Sequence, residues 1–158
     1  FRFRSNRRLM ITINNDLNPF AFLITLTHEI AHAFVYKKYG RRASSHGKEW
    51  KSMFKSLMLN FLAKDIFPRD ILTSLSLHLI KPTSTTSNDI DLSLILREYD
   101  RKKELTIIDI KKGDHFIFSN RSFVKGVRLR KRFKCKEIQT NRIYLFNPLV
   151  NITLLKTV

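Results

Sequence analysis

A single cysteine, Cys135, leaves this chain no partner for an intramolecular disulfide and no thiolate pair for a cysteine-based metal site. The lone thiol is compatible with a reducing cytoplasm, the expected location, with nucleoid association if the source is bacterial. Long apolar runs are also missing. None approaches the roughly 18 residues that a bilayer-crossing helix needs, and FRFRSNRR at the start lacks the pattern of a secretory signal, so no membrane partner is expected. Acidic residues are scarce: 13 Asp and Glu face 30 Lys and Arg, a formal net charge of +17. Such a surface attracts polyanions and repels copies of itself, which makes nucleic acid the first partner to consider. With 43% hydrophobic residues and 13 Phe, the chain nonetheless has the material for a buried core.

Against this background one stretch carries chemistry. HEIAH, residues 28–32, puts His28 and His32 one helical turn apart, so two imidazoles can reach one metal ion from the same face. Glu29 lies beside them, placed to touch a water at the metal without taking a ligand position. A third histidine, His46, stands in SSHGKEW. Thirteen residues separate it from His32, enough to leave the helix, reverse and return. Three neutral histidines would leave zinc its double charge and one open tetrahedral position, with Glu29 as general base.

The surrounding sequence supplies the mount. LMITINN, around Met10, Ile11 and Ile13, has the β-branched content of an edge strand. Asn18 and Pro19 are a cap and first turn for a helix running to about Tyr39, ended by Gly40 and carrying Lys37 and Lys38 in its last turn. Phe20, Leu23, Leu26, Ile30, Phe34 and Val35 are spaced to bury much of that helix. A second helix from Gly47 carries Trp50, Phe54, Leu57, Met58 and Phe61 at intervals of three and four, with His46 at its start. A third spans Arg69 to Leu79, where His78 reads as a surface residue, and Pro82 closes it. A fourth follows through LSLILREY, with Ser87 a candidate cap.

Beyond Tyr99 the pattern changes. LTIIDI, FIF, FVKGVRLRKRFKCKEI, RIYLFN and NITLL read as strands divided by KKGD, SNR, QTN and NP. Residues 101–136 hold 13 Lys or Arg against 3 acids. Read as one strand, GVRLRKRFKCK puts Val127, Leu129, Phe133 and Cys135 on one face and Arg128, Arg130, Arg132, Lys134 and Lys136 on the other. With Lys125 these cations are the candidate nucleic-acid-binding residues, a ladder able to follow a phosphate backbone. Solvated cations guarding a sheet against aggregation give the same pattern.

The run HEIAHAFVYKKYGRRASSHGKEW resembles the SprT-like zinc metallopeptidases, the group that includes the Spartan DNA–protein crosslink proteases. The resemblance extends over about residues 10–62 and joins an HExxH helix, a gap in the low teens and an HGxEW-type turn. It implies zinc bound by His28, His32 and His46, catalysis by Glu29, and proteolysis coupled to DNA. The family's usual N-terminal helix and strand are largely missing ahead of the metal helix, so the chain, which begins at Phe1, reads as N-terminally truncated. The cysteine-rich zinc ribbon common in the family is absent too.

The expected fold is α+β: a zincin-like helical metalloprotease core with a small sheet element over residues 1–100, then a small basic β-rich module over 101–158. The expected function is a zinc-dependent endopeptidase acting on DNA-associated proteins, with single- or double-stranded DNA both open and the oligomeric state unspecified. Two other readings fit the same residues: a non-catalytic zinc-containing nucleic-acid-binding adaptor, and a zinc peptidase whose basic tail binds some other acidic partner.

Overall fold

The computed structural model describes residues 2–3, 9–80, 82–83 and 89–155. The chain divides into two compact units, Phe1–Arg101 and Lys102–Val158. Among the described residues, no helix is long and apolar enough to cross a membrane.

The first unit begins with a minimal antiparallel pair, β1 (Arg2–Phe3) and β2 (Leu9–Met10). The strand expected around Ile11 and Ile13 therefore stops at Met10. Helix α1 spans Pro19–Tyr39 with the expected ends: the Asn18 side chain accepts a hydrogen bond from the Ala21 amide, and Gly40 adopts φ 61°. Asn18 also donates through Nδ2 to the Leu96 carbonyl and to Asp100, which ties the start of α1 to the stretch around Leu96–Asp100. Helices α2 (Lys48–Leu59), α3 (Arg69–Ile80) and α4 (Ile90–Arg97) complete the unit.

The buried stripe of α1 is Ile24, Thr27, Ala31 and Val35, spaced by three and four. Phe34, expected inside, is 50% exposed because it lies off that stripe, on the flank away from His28 and His32. The stripe packs with Trp50, Phe54 and Met58 of α2, Ile71, Leu75 and Leu79 of α3, and Leu92 and Leu96 of α4. His78 corrects its expected surface role: it is buried, with Nδ1 2.7 Å from Asp89 Oδ2. Asp89 is also the cap of α4, its other oxygen accepting from the Leu92 amide. Ser87, the expected cap, lies outside the described residues.

The second unit is a five-stranded antiparallel sheet in the order β6-β5-β4-β3-β7. Its strands are β3 (His115–Phe118), β4 (Arg121–Arg128), β5 (Phe133–Glu137), β6 (Ile143–Phe146) and β7 (Thr153–Leu154). Ser119 and Asn120 both have positive φ, the backbone that a two-residue β3–β4 hairpin requires. The LTIIDI segment is not a strand. Thr106 caps a short 3-10 turn at Ile107–Asp109, accepting Asp109's amide while the Asp109 carboxylate receives the Thr106 amide. The apolar face of the sheet encloses Phe116, Phe123, Phe133, Cys135 and Phe146 with Ile107 and Ile110.

Candidate metal centre

Helix α1 delivers His28 and His32 from the shoulder of its buried stripe, one turn apart. The chain leaves α1 through the Gly40–Arg42 turn and reaches His46 just before α2, where the Gly47 amide bonds the Ser44 carbonyl. A side chain at Gly47 would press on Ser44 and Glu49, so the tight approach to α2 favours glycine there.

The three histidines converge. Nε2 of His32 lies 3.0 Å from Nε2 of His28 and 3.1 Å from that of His46, and the third pair is 3.3 Å apart. Among the described residues this is the group able to hold a metal ion. The spacing fits: three nitrogens at about 2.0 Å from a tetrahedral zinc sit about 3.3 Å from one another. The donor chemistry fits as well. Three imidazole nitrogens facing a common point repel through their lone pairs unless a cation or shared protons lie between them.

Electrostatics favours the neutral, ligating form. Burial, then the neighbouring His32, pushes the His28 pKa down to about 4, while the Glu29 carboxylate pulls it upward. Burial and His46 lower that of His32, and burial lowers that of His46. Glu29 raises all three pKa values, so its charge is felt at every ring of the cluster.

Behind the rings stands Trp50, which the sequence pattern marked only as a core residue. Its ring centroid lies 4.6 Å from that of His28, 4.8 Å from His46 and 5.4 Å from His32. The indole Nε1 donates to the His28 carbonyl at 3.3 Å, and Phe54 stacks beneath it at 5.1 Å with planes 8° apart. The signal available in sequence was the spacing: Trp50 follows His46 by four residues, one turn into α2.

Residues 7–69 match the SprT-like family. This family is associated with metallopeptidase-like function, and the SprT-like segment contains all three clustered histidines and Glu29. No curated protein and no solved structure matches the chain.

The candidate nucleic-acid residues are only partly arranged as expected. The single strand expected through GVRLRKRFKCK is a hairpin: β4 ends at Arg128, the Leu129 amide bonds the Arg132 carbonyl at 2.7 Å, and β5 begins at Phe133. Val127 and Leu129 are exposed, at 45% and 44%: the β4–β5 register shifts between Lys125 and Arg128, which breaks the alternation at Val127, and Leu129 lies in the turn. Lys125 does not belong to the exposed set. Alternation along β4 puts it on the same inner face as Phe123, where its Nζ donates to the Ile110 carbonyl and lies 4.1 Å from the Phe133 ring centre. Burial lowers its pKa. Arg128, Arg130, Arg132, Lys134 and Lys136 are exposed, and Lys131, which a single strand would have put on the Val127 face, joins them at the turn. Among the described residues no carboxylate pairs with any of these six.

Proposed function

We propose that the protein is a zinc-dependent endopeptidase that cleaves proteins associated with DNA. The observation that carries this reading is the convergence of His28, His32 and His46 Nε2 atoms within 3.3 Å of one another, on a segment matching the SprT-like family. When bound, a zinc ion supplies Lewis acidity that polarises an amide carbonyl and acidifies water.

The remaining work falls to the chain. His28, His32 and His46 hold the ion, and their depressed basicity keeps the nitrogens unprotonated at neutral pH. Glu29 takes the proton from the attacking water and passes it to the departing amine. Its position beside His28 in sequence would give it access to that water without taking a ligand position. Trp50 and Phe54 exclude solvent from behind the ligands.

The DNA half of the reading is supported by six exposed cations with no acid between Arg128 and Lys136. Phosphate contacts of this kind attach a protein to nucleic acid without reading sequence, so substrates would be selected by sharing the same DNA. The test compares wild type with Glu29→Gln on a DNA-bound protein, with and without DNA, at matched zinc content. The variant retains zinc and loses cleavage by about 100- to 10,000-fold. Equal cleavage by both assigns the activity elsewhere, and cleavage indifferent to DNA removes the nucleic-acid half.

A further inference from the structure

The geometry points to Trp50 as a positioning residue of the metal centre: its indole is the wall that sets the orientation of all three ligand rings. This inference rests on the metal-centre reading. Among the described ring contacts, Trp50 is the one side chain that touches His28, His32 and His46 together. Rotation of an imidazole about its last side-chain bond is soft, with broad minima, so a histidine held only by its backbone samples many ring directions. A fully buried indole in contact with all three rings, stacked on His32 at 30°, tilted to His28 at 58° and T-shaped to His46 at 78°, removes that freedom before the ion arrives. Preorganisation of this kind strengthens binding without adding a ligand.

The wall is itself fixed. Its Nε1 donates to the backbone carbonyl of His28, the residue it packs against, and the parallel Phe54 ring backs it. Phe54 is buried and carries the edge of His78 at 6.4 Å, so the column from ligands to α3 is aromatic throughout. Trp50 is also the chain's sole tryptophan, which gives the site its own spectroscopic reporter.

The experiment uses the full chain and four proteins: wild type, Trp50→Phe, Trp50→Leu and His46→Ala. Zinc affinity is measured by competition with a chromophoric chelator at pH 7.5, and thermal stability is measured on the metal-free proteins. Phenylalanine keeps a flat wall and leucine keeps only apolar bulk. Both substitutions lower the metal-free melting temperature, but Trp50→Leu weakens zinc by about 10- to 100-fold while Trp50→Phe stays within about threefold of wild type. Paramagnetic cobalt(II) added to wild type quenches tryptophan emission to an end point of one ion per chain, and His46→Ala abolishes that end point.

Equal zinc affinities for Trp50→Leu and Trp50→Phe overturn the positioning role, as does one-to-one zinc binding with unquenched emission under cobalt. Should Trp50→Leu fail to fold, Trp50→Met takes its place under the same criterion, and the quenching titration stands on wild type alone. A wild type that binds neither zinc nor cobalt overturns the metal-centre reading itself, a result distinct from intact binding that ignores residue 50.

Discussion

Acidifying the metal-free protein from pH 7.5 to 5 should destabilise the first unit through His28. In the unfolded chain this imidazole titrates near its ordinary value of 6.5; in the folded unit burial and His32 lower the pKa to about 4. Between those two values the unfolded state binds more protons, so stability is full above about pH 6.5 and falls as the pH drops towards 4. At pH 5 an unperturbed histidine is about 97% protonated and one with pKa 4 about 10%. Discounted for the partial exposure of the ring, the linked loss is about 1 to 2 kcal/mol. Thermal unfolding of metal-free wild type and His28→Gln, each at pH 7.5 and 5, isolates this contribution: the variant's melting temperature should fall less over the same interval. An NMR titration of the wild type follows the ring directly. A His28 resonance titrating near 6.5, or equal acid sensitivity in both proteins, refutes the reasoning.

Further outcomes follow from the second unit. A Cβ at Gly126 would meet the Lys134 carbonyl oxygen at 2.1 Å, backbone against backbone, so Gly126→Ala should destabilise the β4–β5 pairing by about 2 kcal/mol or more, read as a lower midpoint in urea. A wild-type midpoint would mean that the close approach is not maintained. Replacing Arg130, Lys131 and Arg132 together by Ser should weaken DNA binding and reduce the dependence of log affinity on log salt by about 2 to 3, measured by fluorescence anisotropy. Lys125→Met, by contrast, should leave the salt slope unchanged, since that ammonium group contacts the Ile110 carbonyl inside the sheet. A lower slope for Lys125→Met would place it at the interface after all.

The histidines were legible because helical spacing is a local property: i and i+4 share a face wherever the helix sits, and α1 carries its own start and stop signals in Asn18, Pro19 and Gly40. Hairpin positions were also local where the turn chemistry was strong, as at Ser119–Asn120. What escaped the sequence depends on partners far along the chain. His78 is inside because Asp89, eleven residues later, supplies its partner. Lys125 is inside because the Ile110 carbonyl and the Phe133 ring receive it. The cationic run concealed a turn because Arg130, Lys131 and Arg132 carry none of the glycine, proline or asparagine that punctuates most hairpins. Trp50 looked like any core aromatic until the three rings around it were located.

The centre itself is tested most directly by counting metal. Purified wild type, dialysed against excess zinc and then against metal-free buffer at pH 7.5, should retain one zinc per chain, with X-ray absorption showing three nitrogen neighbours at about 2.0 Å from imidazole. His46→Ala should lose that zinc under the same dialysis. Zinc retained equally by both proteins, or no stoichiometric zinc in wild type, would contradict a site built on His28, His32 and His46.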